Sequence, residues 1–536
     1  MPLRRRLRPA IHQRSLKPAD KRTALGDADM KRLLIALAVL AAACTSAPDT
    51  SDPTIATVET GQLKALQAKG VLAFKGIPFA APPVGALRWK APTRAAKWDG
   101  VKDASAYGPI CMQKMPNPDN GIGQYPASED CLTLNVFTQD LSHAKRPVMV
   151  WIHGGGFVNG SGSAELYDGS QLAKHGVVVV TINYRLGRFG SFAHPLLTKE
   201  AAGGPVANYG MLDMVAALDW VKRNIGAFGG DANNVTIFGE SAGGMAVQKL
   251  MTMPAARGLF HKAAVQSGAG RENTLYLDKP NERGLPSAES DGEAFVKTLG
   301  VAAAAPADLR AISADAIIAA GDPSTFAGGG PILDGKIITT GVVEAFTTKK
   351  EAQVPFLVGY NSAEFPTKAD DIDAGLARTV GAKTSDLPAL VATYPDKEDM
   401  AARVMGDIIF GEPARTLAAI HTANGQPTWL YRFDVISPSV AGRWKGTAHA
   451  QERQYVFDTL HTSPYPTDAN DQVQAQHAAT YWTNFAKTGD PNSAGQPKWP
   501  RYQAASDQLL EFTNAGPVGK ASPHRERWEA IEARYK

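Results

Sequence analysis

The chain has 536 residues, 44% of them hydrophobic, enough to bury a large core. Its formal charge is +4, but residues 1–43 hold ten Lys/Arg against three Asp/Glu, and the rest of the chain holds 46 against 49. The body is therefore mildly acidic, which excludes a nucleic-acid partner, and three cysteines with no C-x-x-C exclude a metal site built on thiolates.

Residues 1–29 are Arg-rich, lack apolar periodicity and form a non-structural N-terminal extension. Residues 30–43 read as a signal peptide. Met30-Lys31-Arg32 is a basic start, Leu33 to Leu40 is a short apolar run, and Ala41-Ala42-Ala43 is a small-residue cleavage site before Cys44. The run is too short to span a bilayer. It predicts export, to the periplasm, the outer membrane or the medium. The segment is similar to a bacterial lipobox, with Ala41 where leucine is usual. In that case Cys44 is lipidated and attaches the chain to a membrane; the alternative is plain cleavage after Ala43.

Residues 44–60 read as a flexible Ser/Thr/Pro/Asp tether, and residues 61–536 as a single domain with helical insertions. The run Gly70 to Phe79 predicts its first strand. In an exported chain a disulfide can form. Cys111 and Cys131 lie in Gly/Pro-rich surroundings, and a bridge between them would close a loop at a gain of roughly 3 kcal/mol. It would leave Cys44 as the odd cysteine.

Leu132 to Phe137 alternates as a strand. Arg146 to Ile152 is a solid apolar run, as a central strand is. It ends at His153-Gly154-Gly155-Gly156-Phe157, where successive glycines let backbone N–H groups face one concavity. There is no G-K-[ST], so a phosphate-binding P-loop is excluded. Gly176 to Tyr184 is another buried strand. Asp213 to Ile225 is an amphipathic helix with Met214, Ala217, Leu218 and Val221 on one face.

Val235 to Phe238 is then a short buried strand, broken by Gly239-Glu240-Ser241-Ala242-Gly243 and followed at once by a helical run from Met245. This is G-x-S-x-G between strand and helix, a turn so tight that its neighbours must be small and its serine is held out at the tip. His261 to Gly268, Val354 to Tyr360 and Trp429 to Asp434 are further strands. Strand–helix alternation across 146–268 argues an α/β fold with a mostly parallel sheet covered on both faces. Residues 285–330 are an Ala-rich helical insertion, Tyr481 to Lys487 a late helix, and the Pro/Gly-rich tail an outer covering.

An exposed serine needs a base, and the base needs an orienting carboxylate. Where a serine sits on such a turn, chain order runs Ser, acid, His. Glu364 directly follows a strand. Its rivals Asp370, Asp371 and Asp373 lie further into a polar stretch, and Asp334 in a turn. Of the later histidines, His421, His461, His477 and His524 lie in helical or polar surroundings, and His449 alone follows a strand and a small-residue turn. Ser241, Glu364 and His449 are thus the candidate nucleophile, acid and base. Gly155, Gly156 and Ala242 would give the N–H donors for an oxyanion. Glu240 either bonds near the site, steers cations, or is a buried structural acid beside the turn.

Together, Phe74-Lys75-Gly76-Ile77-Pro78, Glu129-Asp130-Cys131-Leu132, Trp151 to Phe157, Asn183-Tyr184-Arg185-Leu186-Gly187, Phe228-Gly229-Gly230-Asp231 and Gly239 to Gly244 resemble the type-B carboxylesterase/cholinesterase family over residues 70–535. The resemblance implies an α/β-hydrolase fold, a serine ester hydrolase with a Ser241–Glu364–His449 triad, and the oxyanion donors named above. It also implies a Cys111–Cys131 bridge and Ser267 as a support near the triad. It calls for no metal or other cofactor; the partner is a small-molecule ester. The chain departs from the family at Phe365, where glycine usually follows the acid. Two other readings use the same residues: a catalytically silent binding module, against which the presence of both Ser241 and His449 counts, and amide, carbamate or lactone hydrolysis.

Overall fold

A computed structural model describes residues 52–114, 125–271, 274–321 and 330–536. The extension, the signal peptide, Cys44 and most of the tether lie outside the described residues.

Seven parallel strands form the centre: β1 (Arg146–Ile152), β2 (Val178–Ile182), β3 (Gly230–Glu240), β4 (Lys262–Gln266), β5 (Phe356–Asn361), β6 (Thr428–Asp434) and β7 (Gln508–Thr513). They lie side by side in the order β2-β1-β3-β4-β5-β6-β7. β1, β2, β4, β5 and the second half of β3, from Val235, are mostly apolar or β-branched and largely buried, as parallel strands between helical layers must be. Antiparallel strands extend the sheet at both edges.

Register places the ends of these strands together. Gly239 of β3 pairs with Ile152 of β1 and Val265 of β4, and Gln266 pairs with Gly359 of β5. The loops that leave the carboxyl ends of β1, β3, β4, β5 and β6 therefore open on one side of the sheet. In open α/β sheets that edge is where ligands bind.

Helices cover both faces. In Tyr209–Asn224 the predicted apolar residues Met214, Ala217, Leu218 and Val221 are all buried. Beneath it, Arg185 donates three hydrogen bonds to the buried Asp213 carboxylate, from its backbone N, Nε and Nη2. Between them these clamp the chain leaving β2 to the helix.

Three boundaries differ from the sequence reading. The fold begins before residue 61: Ile55–Val58 is a strand paired antiparallel with Gly61–Ala68, and Ala56 and Val58 are buried. Two inward residues in a four-residue strand leave too little pattern to read. The late helix spans Ala469–Thr488, because Asp468 and Asp471 form a capping box that starts it well before Tyr481. The tail is part of the sheet and not merely a covering: β7 pairs parallel with β6, and Gly516–Ala521 folds back on it as a hairpin. The insertion is helical as expected, with Ala288–Thr298, Pro306–Arg310 and Ala314–Ala320 packed around Phe192, Phe295 and Leu309 in a core of their own.

Candidate active site

The serine turn is built by exclusion. Ser241 ends β3 and starts the helix Ala242–Thr252, with φ 56° and ψ −125°. That left-handed backbone is costly for a residue with a Cβ, of order 1–3 kcal/mol, and persists only where the surroundings over-determine it. Here they do. A Cβ on Gly243 would lie 2.0 Å from the Ile152 carbonyl oxygen, and one on Gly239 would lie 2.6 Å from the backbone of Gly243. The serine N–H donates to the Gln266 carbonyl at 2.9 Å.

His449 stands over the serine. Ser241 Oγ lies 2.8 Å from its Nε2, and Nδ1 lies 2.6 Å from Glu364 Oε2. The chain order Ser, Glu, His thus closes into one hydrogen-bonded line. The imidazole tautomer with its proton on Nδ1 satisfies both contacts, donating to Glu364 and accepting from Ser241. The acid loop ties directly to the histidine loop, since His449 N donates to the Glu364 carbonyl at 2.8 Å.

Glu364 is fully buried, and its other oxygen accepts from Ser267 Oγ and from Asn361 N, both at 2.6 Å. Burial pushes its carboxyl up to about 8, while the Ser267 and Asn361 donors pull it back. Burial also lowers His449. The rivals do not compete. Asp370 and Asp371 sit in an exposed turn, Asp373 accepts from Thr384, and Asp334 caps the N–H groups of 336–338. His421 is buried between Glu351 and the Val354 carbonyl, far along the sheet.

The glycine loop after β1 is held from beneath. His153 stacks on Tyr184 at 4.3 Å, and the Tyr184 hydroxyl donates to the His153 carbonyl. Burial drives His153 down to about 4, so it stays neutral. Gly155 and Gly156 adopt φ of 108° and 63°, and a Cβ on Gly155 would lie 2.2 Å from Asn159 O. Only glycine fits that bend. Gly155, Gly156 and Ala242 line one cavity of about 290 Å³ with Ser241 and His449. Its apolar side is Met245, Ala269, Phe365, Ile409 and Phe410. A larger cleft of about 460 Å³, lined by Arg271, Arg283 and Arg534 among others, holds none of these groups.

Glu240, left open by sequence, lies in the same cluster. Its Oε1 is 3.3 Å from His449 Nε2, and it is buried. Burial raises its carboxyl to about 7, with His449 and Arg453 pulling it down. Oε1 has no hydrogen-bond partner while Nε2 is unprotonated. It gains one only when that nitrogen carries a proton.

Sequence reasoning missed four residues. Phe365 stands 4.4 Å from the His449 ring and Phe410 stacks on it at 5.0 Å with a 15° tilt. Phe410 comes from a single π turn, Asp407–Gly411, inside an otherwise α-helical stretch, which no periodicity signals. Glu452 accepts from Asn361 Nδ2 and Gln266 Nε2, and Arg453 reaches Glu240. The only available signal was their place three and four residues after His449. Cys111 and Cys131 form the bridge that was expected.

With this geometry in hand, similarity to known proteins is decisive. The profile of the Carboxylesterase family matches residues 52–388 and 392–528. The chain belongs to the carboxylesterase family. It is 38% identical to the para-nitrobenzyl esterase of Bacillus subtilis (strain 168), covering 85% of this chain and 94% of that one. It is 34% identical to the fumonisin B1 esterase of Sphingopyxis macrogoltabida, covering 88% of each. Among solved structures, a PNB esterase superposes with TM-score 0.77 at 35% identity, over 90% of this chain and all of that one. A Geobacillus stearothermophilus carboxylesterase does so with TM-score 0.76 at 32% identity, over 89% of this chain and all of that one. This member of the carboxylesterase family is a carboxylic ester hydrolase.

Proposed function

We propose that this carboxylesterase cleaves small carboxylic esters through Ser241, with His449 as base and Glu364 as orienting acid, by way of an acyl-enzyme. The observation that carries this reading is the continuous line from Ser241 Oγ through His449 to Glu364, at 2.8 and 2.6 Å, in a cavity edged by the glycine loop.

In the first half-reaction His449 Nε2 takes the serine proton as Oγ adds to the ester carbonyl. The new oxyanion lies toward the N–H groups of Gly155, Gly156 and Ala242. The imidazolium then passes its proton to the departing alcohol. Water, activated by the same nitrogen, releases the carboxylic acid and restores Ser241. Glu364 holds the ring orientation and faces the charge that appears on it. Glu240 Oε1 gains its missing partner in that same state, so it favours the charged intermediate over the resting enzyme. An amide must expel an amine, a poorer leaving group than an alcohol, so ester cleavage is favoured over amide cleavage; a lactone is a cyclic ester and falls to the same chemistry.

The chain is further proposed to be exported through residues 30–43, with Cys44 as the point of lipid attachment. The cleavage-site pattern and the bridge between Cys111 and Cys131, a bond found in oxidising compartments, support export. Metabolic labelling with a fatty acid should mark the wild type and not Cys44→Ala; equal labelling contradicts lipidation.

The activity test is hydrolysis of p-nitrophenyl esters from acetate to palmitate by wild type and Ser241→Ala. Turnover that vanishes in the variant is the expected result. Turnover retained by folded Ser241→Ala contradicts the proposal.

A further inference from the structure

One half-buried cation in the catalytic cluster has no part in the proton path. Arg453 opens the short helix Arg453–Phe457 and lines the cavity that holds Ser241. Its Nε donates to the Ala450 carbonyl at 2.7 Å, and its Nη1 donates to the Tyr167 hydroxyl at 2.7 Å. Tyr167 is itself buried against Trp151. These contacts hold the guanidinium 3.9 Å from Glu240 Oε2.

The charges around it are unbalanced. Three buried carboxyls, Glu240, Glu364 and Glu452, surround His449. Glu364 is satisfied by Ser267, Asn361 and His449, and Glu452 by two neutral amides. Glu240 has no amide or hydroxyl donor among the hydrogen bonds of the described residues; its charged neighbours are Arg453 and, when protonated, His449. Crowded buried carboxylates take up protons unless a cation opposes them.

Where a proton on Glu240 would go matters. Oε1 lies 3.3 Å from His449 Nε2, the nitrogen that accepts from Ser241. A protonated Glu240 can donate into that same lone pair, and the serine then loses its base.

We propose that Arg453 is a positioning residue that keeps Glu240 as a carboxylate, and so leaves the Nε2 lone pair of His449 to Ser241. The inference rests on the serine-esterase reading above. Arg453 does not touch the reacting atoms; it acts through Glu240. Its charge also opposes protonation of His449 directly, which works in the same sense in the resting enzyme.

The test is the pH profile of kcat/KM on p-nitrophenyl butyrate. Ser241→Ala is run first, because retained turnover there overturns the underlying reading and not this inference. Arg453→Met should move the acid limb to higher pH by about one unit, a loss of roughly tenfold at pH 6.5 that largely recovers by pH 9. Arg453→Gln serves equally if the Met variant does not fold. Arg453→Lys, which keeps the charge, should return the limb to its wild-type position even if kcat falls. In a Glu240→Leu background, Arg453→Met should move the limb by less than half as much, leaving only its direct effect on His449. A loss that is uniform across pH overturns the inference, as does a shift that is undiminished without Glu240 or one that lysine fails to rescue.

Discussion

Two carboxylates flank the same imidazole, and they are built differently. On the Nδ1 side, Glu364 is held at every oxygen in the resting state, by Ser267, Asn361 and His449. On the Nε2 side, Glu240 leaves Oε1 without a hydrogen bond until the nitrogen opposite is protonated. One is an orienting acid whose bonds do not depend on the step of the reaction. The other is satisfied only in the charged state, and interactions made only there accelerate chemistry. Burial and residue type are the same for both; the number of donors separates them.

Replacing Glu364 breaks the comparison most severely. Glu364→Gln should lower kcat/KM on p-nitrophenyl butyrate by about 10³–10⁴-fold, because an amide no longer fixes the productive tautomer. Asp370→Ala and Asp371→Ala, on an exposed turn, should leave kcat/KM unchanged within error. A crippled Asp370 or Asp371 variant contradicts the assignment of the acid. Glu240→Gln comes next, with kcat reduced by about 10–100-fold and KM nearly unaltered, as expected for a partner gained only on the way to the intermediate. An equal loss in KM would make Glu240 a substrate-binding group instead. Ser267→Ala should cost about tenfold or less, since Asn361 N still donates to the same oxygen.

The smallest effect is on stability. Both carboxyls are raised from 4.5, Glu364 to about 8 and Glu240 to about 7. A raised group holds its proton longer folded than unfolded, so its contribution is complete below pH 4.5 and is lost as pH rises through the folded value. The melting temperature of wild type relative to Glu364→Gln should therefore fall steadily between pH 5 and pH 9. A difference that grows with pH would reverse the sign of the linkage.

Much of this was legible in the sequence, for physical reasons. Parallel strands buried on both faces read as solid apolar runs, and the serine turn admits only glycine at Gly239 and Gly243, so its pattern is forced. Ser241 and Glu364 closely follow strands and His449 lies on the loop after the next one, and these strand ends share one edge of the sheet. What was not legible depends on approach between distant segments. Phe410 reaches His449 from a π turn, and Arg453 reaches Glu240 across the sheet edge; neither leaves a periodic trace. Phe365, the departure from the family pattern, places a ring beside His449 where a glycine would leave space. The strand Ile55–Val58 was too short, and β7 too mixed in polarity, to stand out from the segments around them.

The central claim is that the acyl group passes through Ser241. The most direct measurement is peptide mapping by mass spectrometry after reaction with a fluorophosphonate probe. The account predicts one adduct, on the peptide containing Ser241, absent in Ser241→Ala and formed far more slowly in Glu364→Gln. An adduct on another serine, or labelling that survives in Ser241→Ala, would contradict it.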